Sequence, residues 1–180
     1  MPQSRPIPLR YPCLSPNLSG MDVPALYDTD IYAWSQHQAR VLRELAASGA
    51  GLPNDLDLAH VAEEIEDLGN ALREGKESLW VQAFTHLLKR LALPKDQAAR
   101  HWVVEADTFL DQAKVRYRPS MQDIRLDTLW RRASNIAGRN LATYGHKMPD
   151  WPAECPIDLT ELLDARNGAV ELLALLQARI

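Results

Sequence analysis

Four carboxylates crowd into one short stretch of this sequence, and such a cluster can bind a metal ion, attract a basic partner or pair with arginines. Glu63, Glu64, Glu66 and Asp67 fall within five consecutive positions. The apolar residues around them recur at helical spacing, and successive residues of a helix are rotated by about 100°. That rotation places Glu64 and Glu66 on the two flanks of the apolar face, whereas Glu63 and Asp67 point away from it, near His60. Because like charges repel on an isolated helix, we expect groups outside the cluster to compensate it.

Ion pairing with another helix is the simplest explanation of the cluster. Arg125, Arg132 and Arg139 are spaced by seven residues, so on a helix they form one stripe along the flank of its apolar face. A flank carboxylate that faces a flank arginine is an ordinary contact between helices, and it sets their register more than it stabilises them. This explanation predicts that the arginine stripe faces Glu64 or Glu66.

A metal site is the second explanation, because helical bundles hold metal ions with carboxylates and histidines from facing helices. The Glu-x-x-His signature of ferritin-like proteins is absent. His37, His86 and His101 lie on three different predicted helices and could form a three-histidine site like that of DinB-like bundle proteins. A lone histidine in such a place is more often a hydrogen-bonded core residue, so we assign no metal ligand and no cofactor. If a buried polar site exists, we expect it to combine Glu64 or Glu66 with His86.

A binding surface is the third explanation. Glu63, Asp67 and His60 would form an acidic patch that could dock a basic partner. The arginine stripe, if it is not paired within the chain, could instead meet an acidic partner or a phosphate. Whether the acids and the arginines face each other decides between ion pairing and recruitment.

Three residues near the predicted first helix could line a pocket with the carboxylate cluster. They are Asp28, Asp30 and Trp34, although helix capping explains the aspartates and core packing explains the tryptophan more simply. The candidate binding residues are therefore Asp28, Asp30, Trp34, Glu63, Glu64, Glu66, Asp67, His86 and Arg132.

No catalytic motif is present. The sequence contains no P-loop, no Gly-x-Gly-x-x-Gly, no His-Glu-x-x-His and no nucleophile elbow. We therefore predict no catalytic residue and favour a non-enzymatic interaction or regulatory module with an unknown protein partner. A metal-dependent small enzyme of bundle type is the alternative.

Charge and composition limit the compartment and the partners. A formal net charge of −4 argues against nucleic acid or an anionic membrane as the partner. Cys13 and Cys155 are too few for a disulfide framework or a zinc site. No apolar run approaches the roughly 18 residues of a membrane span, and the first residues lack the apolar core of a signal peptide. We predict a cytoplasmic protein with reduced thiols.

Helical periodicity runs through most of the sequence, and strand alternation never extends beyond a few residues. The early prolines predict an extended arm over residues 1–23. The first helix is predicted to begin near Asp28 or Thr29, either of which can cap it. Asp57 caps the longest predicted helix, about residues 58–92, which continues through two glycines because its apolar face does not rotate across them. The predicted core face of this helix is Leu58, Val61, Ile65, Leu68, Leu72 and Leu79.

Shorter helices follow the long one. A third helix is predicted over about residues 96–117, and a segment resembling a capping box at 120–123 precedes a fourth helix whose apolar face runs from Leu126 to Tyr144. The remaining predicted elements are an ordered Pro-rich strap at 146–156, a short helix that Asp158 caps, and a leucine-rich helix over about residues 169–180. That last helix is leucine-rich nearly all round, so it either packs on the others or lies in a homo-oligomer interface. The class is all-α, a bundle of about four main antiparallel helices.

Several segments occur together in an order typical of one protein family. They are residues 27–34 (Tyr-Asp-Thr-Asp-Ile-Tyr-Ala-Trp), 38–39, 57–58, 63–69 (Glu-Glu-Ile-Glu-Asp-Leu-Gly), 86–89, 152–156 (Pro-Ala-Glu-Cys-Pro) and 162–164. In this order they resemble the DUF29 family, bacterial all-helical proteins of unknown function. The resemblance covers about residues 24–166 and implies a compact helical bundle without an established activity. The arm, 1–23, and an additional C-terminal helix, 167–180, lie outside it.

Overall fold

The structure, a computed structural model, describes residues 23–49, 51, 53, 55–147 and 149–180. Those residues form helices and no strand, which confirms the all-α class. The helices are α1 (Val23–Thr29), α2 (Ile31–Ala47), α3 (Leu58–Ala92), α4 (Ala99–Arg116), α5 (Leu126–Thr143), α6 (Leu159–Leu163) and α7 (Ala169–Arg179), with a 3₁₀ turn at Pro119–Met121. The predicted arm lies outside the described residues, except that Val23 begins α1.

Helix α3 is continuous over 35 residues, as predicted. Asp57 caps its start, where the side chain accepts a hydrogen bond from the backbone N–H of His60 at 3.2 Å. Gly69 does not break the helix, and it serves packing: a Cβ at this position would lie 1.9 Å from Ser35 Oγ on α2. Gly75 has no such reason among the described residues, since a Cβ there would meet none of their atoms within 4 Å.

The two halves of α3 have different neighbours. Along the first half lies α2, which runs antiparallel, as the side-chain pair of Gln36 with Asn70 and that of Tyr32 with Arg73 show. The second half is surrounded by α4, α5 and α7, and it carries the main core. The largest fully buried side chains include Trp80, Phe84, Leu87, Leu88, Leu110, Trp130, Leu172 and Leu176. This arrangement differs from four antiparallel helices around one core, because α3 is long enough, about 52 Å, to serve two separate packing surfaces.

The segment that connects α5 to α6 packs on the core through aromatic and backbone contacts. Trp151 is half-buried against the core, as predicted for the strap. Trp130 Nε1 donates to the carbonyl of Pro152 at 2.8 Å, and the N–H of Cys155 donates to Asp127 Oδ1 at 2.9 Å. Two hydrogen bonds, at Trp130 and at Asp127, therefore hold the strap against α5.

Helix α7 packs on α4 and α3 and buries Leu172, Leu173 and Leu176. Asp158 caps α6, as predicted, and it does so in a capping box with Glu161, in which each side chain accepts from the other residue's backbone N–H. Gly145, with φ of +77°, follows the end of α5 as expected of a glycine in that position. No helix among the described residues has the length and apolarity needed to cross a lipid bilayer.

Two predicted caps are wrong. Neither Asp28 nor Thr29 caps the helix that contains Trp34, because a separate short helix, α1, comes first and Asp30 is the cap of α2. Residues 120–123 do not form a capping box, since Pro119–Met121 is a 3₁₀ turn and α5 begins only at Leu126. Ser120 Oγ instead donates to Asp30 Oδ1 at 2.9 Å, which ties the turn to the start of α2.

Part of the predicted core face is exposed. On α3, Val61 is 40% exposed, Leu68 is 48% exposed and Leu72 is 39% exposed. The buried residues of that half include the small Ala62 and Gly69, because α2 approaches closely on their side. Tyr144, predicted on the apolar face of the fourth helix, is exposed just beyond the end of α5.

Candidate functional site

The carboxylate cluster is compensated from α2. Glu66 forms an ion pair with Arg43, whereas Glu63, Glu64 and Asp67 are exposed and make no ion pair with any residue in the described part of the chain. The prediction that the arginine stripe of the fourth helix faces the cluster is wrong, because α5 packs along the second half of α3. There the ring of Trp130 lies 5.7 Å from that of Phe84, far along the helix from Glu66.

Asp28, Asp30 and Trp34 do not join the carboxylate cluster. Tyr32, next to them on α2, is level with Arg73, which is ten residues or about 15 Å along α3 from Glu63. Asp30 has a structural role, since its Oδ1 accepts from Ala33 N and from Ser120 Oγ. Trp34 packs edge-on against Tyr27, with ring centroids 4.9 Å apart, and Asp28 is exposed.

His86 lies apart from the carboxylates with which we expected it to combine. Glu66 and His86 are twenty residues apart on one helix, or about 30 Å. The partner of His86 is Glu105 of α4, whose Oε2 lies 3.2 Å from His86 Nδ1, although their geometry is not that of a hydrogen bond. The other oxygen of Glu105 lies 3.1 Å from His101 Nε2. Burial lowers the pKa of His86, and the charge of Glu105 opposes that shift.

The three predicted histidines do not converge. His86 and His101 share Glu105, whereas His37 lies on α2 with its Nδ1 2.9 Å from Arg40 Nη2. Residues 23–49, 51, 53, 55–147 and 149–180 contain no group of three or more His, Cys, Asp or Glu side chains placed to hold a metal ion. The three-histidine grouping is therefore corrected to a pair of histidines around one carboxylate.

The outward side of α5 carries four exposed arginines, Arg125, Arg131, Arg132 and Arg139, which we call the arginine face. Arg131 Nε donates to the backbone carbonyl of Asp127 at 3.2 Å. The side chains of the other three make no ion pair or hydrogen bond with the residues that the structure describes. A depression of about 580 Å³ lies along this face, lined by Thr128, Arg131, Arg132, Asn135, Ile136 and Arg139.

A second depression, of about 310 Å³, lies between α5 and the strap. Arg131 and Asn135 line both depressions, so the two adjoin. The second also includes Ser134 and Trp151, whose hydroxyl oxygen and indole N–H are buried without a hydrogen-bond partner in the described chain. Of the nine candidate binding residues predicted from the sequence, Arg132 is the one that lines either of these two depressions, and Arg139 of the predicted stripe lines the first.

Sequence reasoning missed a buried lysine. Lys76 is 6% exposed, and its Nζ lies 2.8 Å from Met121 Sδ, a weak acceptor. Burial and the nearby Arg118 lower the pKa of Lys76 to about 8. A signal was present, because Lys76 follows Ala62 and Gly69 at intervals of seven, on the side of small residues where helices approach closely.

The described thiol does not favour nucleophilic chemistry. Burial raises the pKa of Cys155 to about 11, so the thiol is protonated near neutral pH. Neither depression contains a histidine or a cysteine. Their arginines, amide and hydroxyls can donate hydrogen bonds to an anion.

Comparisons with known proteins agree with this helical architecture. DUF29, a domain of unknown function, matches residues 26–166, which is most of the chain. The crystal structure of an α-helical protein of unknown function from Rhodospirillum rubrum is 29% identical in sequence, with a TM-score of 0.74 over 82% of this chain and 95% of that one. No curated protein matches the sequence. The resemblance predicted from the sequence is confirmed, and the chain belongs to the DUF29 family.

Proposed function

We propose that this protein is a non-enzymatic interaction module that binds an acidic segment of a partner protein through the arginine face of α5. The observation that carries the proposal is that Arg125, Arg132 and Arg139 are exposed at intervals of seven without a carboxylate partner among the described residues. An arginine can bind a carboxylate with two parallel hydrogen bonds, so unpaired arginines along one helix suit a row of acidic side chains.

The surroundings of the arginine face support a peptide-sized ligand. The opposite side of α5 buries Leu129, Trp130 and Ala133, so the helix that presents the arginines is held firmly. Half-buried Ile136 lies between Arg132 and Arg139 and offers an apolar contact within the depression. The contact would be sensitive to salt, because exposed charges are screened over about 8–10 Å at ordinary ionic strength.

A labelled synthetic peptide rich in Glu, with a leucine at every third or fourth position, would test the proposal by fluorescence anisotropy. Replacing both Arg132 and Arg139 by Glu is expected to weaken peptide binding by about tenfold or more, because two attractive contacts become repulsive. The matched control replaces Arg100 and Arg116, two exposed arginines of α4, by Glu. This control changes the net charge of the protein by the same amount as the test variant. The control is expected to change binding by less than about threefold.

Two results would contradict the proposal. Equal losses in the test and control variants would mean that the peptide responds only to net charge. Binding of inorganic pyrophosphate to the arginine face, with no binding of the peptide, would assign the face to a phosphate ligand instead of an acidic protein segment.

A metal-binding role is the alternative, and the position of Glu105 between His86 and His101 favours it. Two imidazoles and one carboxylate are a ligand set that Zn²⁺ accepts, although the side chains would have to move to enclose an ion. If this role is correct, protein purified without nickel should carry stoichiometric zinc, and the change of His101 to Ala should remove it. The exposed His146 changed to Ala is the control. Absence of metal after growth in zinc-supplemented medium, measured by elemental analysis, would contradict the alternative.

A further inference from the structure

An apolar row lies exposed on the first half of α3. It consists of Val61, Ile65, Leu68, Leu72 and Gly75, which we call the α3 seam. The intervals are four, three, four and three residues, an average of 3.5, which is the spacing of helices that pair along their length. Three of its large side chains are at least 39% exposed. Isolated exposed apolar residues are common, but a continuous row at this spacing indicates a helix surface whose partner is not among the described residues.

Gly75 is a second and independent indication. A glycine inside a helix costs about 1 kcal/mol relative to alanine. No contact with the part of the chain that the structure describes explains this one, because a Cβ would meet none of those atoms within 4 Å. By contrast, Gly69 on the neighbouring side admits Ser35 of α2. A glycine at the end of an exposed apolar row leaves room for a side chain of another helix to pack against the backbone.

We propose that two copies of this chain pair through the α3 seam, with the two α3 helices antiparallel across a twofold axis at Leu68. Twofold pairs are the commonest assembly of identical chains, and they require a surface that is complementary to itself. This axis places Leu68 against Leu68 of the second copy. Val61 lies seven residues before Leu68, and Gly75 lies seven residues after Leu68. The same axis therefore places Val61 of each copy opposite Gly75 of the other copy, where the branched side chain of valine fills the space that the glycine leaves.

The charges next to the seam favour the antiparallel arrangement. Glu64 borders the seam four residues before Leu68, so in the antiparallel pair it lies level with Leu72 of the second copy, four residues after Leu68, and not with another carboxylate. In a parallel pair in register, Glu64 would lie level with Glu64 of the second copy. Like charges placed directly opposite each other are destabilising, so the antiparallel pair avoids a repulsion that the parallel pair incurs.

The C-terminal helix is a less suitable surface for self-association. The leucine-rich sequence of α7 predicts an oligomer interface there as one of two possibilities, but Leu172, Leu173 and Leu176 are already buried within the chain. The exposed apolar side chains of α7 and its end include Val170 and Ile180, which are ten residues apart and do not form a row. The α3 seam therefore accounts better for self-association than α7 does.

The mass of the full chain in solution, measured by light scattering after size exclusion at about 100 μM, tests the pairing. We expect twice the chain mass of 20.3 kDa. Leu68→Lys is expected to yield the single-chain mass, because it places two ammonium groups at the twofold axis. Val104→Lys, at a residue of α4 that is 63% exposed and lies outside the seam, is the matched control and should keep the double mass.

Single cysteine variants distinguish the two orientations. In the antiparallel pair, Leu68→Cys should form an intermolecular disulfide under mild oxidation, whereas Val61→Cys should not, because the two copies of position 61 are about 21 Å apart along the helix. The unmodified chain shows any background from its own two cysteines. A single-chain mass of the unmodified protein, a double mass that survives Leu68→Lys, or ready cross-linking of Val61→Cys would each overturn the proposal. So would one-to-one binding of a Lys/Leu amphipathic peptide to a monomeric chain, which would assign the seam to a basic partner.

Discussion

Replacing Trp130 by alanine is expected to lower the free energy of unfolding by about 3–5 kcal/mol. Trp130 is fully buried in the core, and its ring meets Phe84 edge-on with an interplanar angle of 78°. Removing the indole leaves a cavity between α3 and α5. It also deprives the carbonyl of Pro152 of its hydrogen bond, so the strap loses one of its two ties to α5. Urea denaturation followed by circular dichroism measures the loss.

Trp130→Phe separates packing from hydrogen bonding. The smaller ring retains the contact with Phe84 and loses the bond to Pro152, so we expect a loss of about 1–3 kcal/mol. Trp34→Ala on α2 is a comparison outside the main core, at a half-buried tryptophan, and should cost less than Trp130→Ala. Equal losses for Trp130→Phe and Trp130→Ala would show that the bond to the strap, not the packing of the ring, dominates at this position.

Replacing Lys76 by methionine is expected to stabilise the protein by about 1–3 kcal/mol at pH 7, in contrast to most substitutions of buried residues. The ammonium is buried with Met121 Sδ as its hydrogen-bond partner, and burial together with the charge of Arg118 lowers its pKa from 10.5 to about 8. A pKa shift of this size corresponds to about 3 kcal/mol by which the folded protein disfavours the charged form of Lys76. Methionine has a similar length and no charge, so it removes that cost while filling the same space.

The pH dependence of stability identifies the ammonium as the cause. Between pH 8 and 10.5 the unfolded chain holds the Lys76 proton and the folded chain has released it. The unfolded state therefore binds more protons, and the contribution of this group to the free energy of unfolding rises with pH across that window. Below about pH 8 both states are protonated and the contribution is constant. The advantage of Lys76→Met over the unmodified protein should consequently shrink as pH is raised from 8 to 10.

The exposed Lys95, changed to Met, is the control for Lys76→Met and should alter stability by less than about 0.5 kcal/mol. A loss of more than about 1 kcal/mol for Lys76→Met would contradict this account. It would mean that the ammonium makes a favourable interaction in solution that the contact with Met121 does not represent.

Local patterns in the sequence were sufficient for the helices and several of their ends. The apolar face of α3 does not rotate across Gly69 and Gly75, and one helix therefore follows from periodicity alone. Asp57 and Asp158 are caps because their carboxylates satisfy free amides within three residues, an interaction that does not depend on the rest of the fold. The family membership likewise rests on the order of short segments along the chain.

Tertiary structure decided which side of α3 is buried in its first half. Both the large side chains of the α3 seam and the small residues Ala62 and Gly69 lie near the apolar side of the helix, and periodicity cannot choose between them. The choice depends on how closely α2 can approach, and the absence of a side chain at Gly69 allows the closest contact. The large residues are therefore left outside.

The partners of the charged groups also depended on tertiary structure. Spacing by seven showed that Arg125, Arg132 and Arg139 share one side of a helix, but it carries no information about which half of α3 that helix covers. Because α2 occupies the first half and α5 the second, Arg43 pairs with Glu66 and the arginine face remains exposed. The sequence by itself thus determined most of the helices, several of their ends and the family. Only the packing of α2 and α5 on separate halves of one long helix decided which charges and apolar residues are available to a partner, because that depends on contacts between residues distant in the chain.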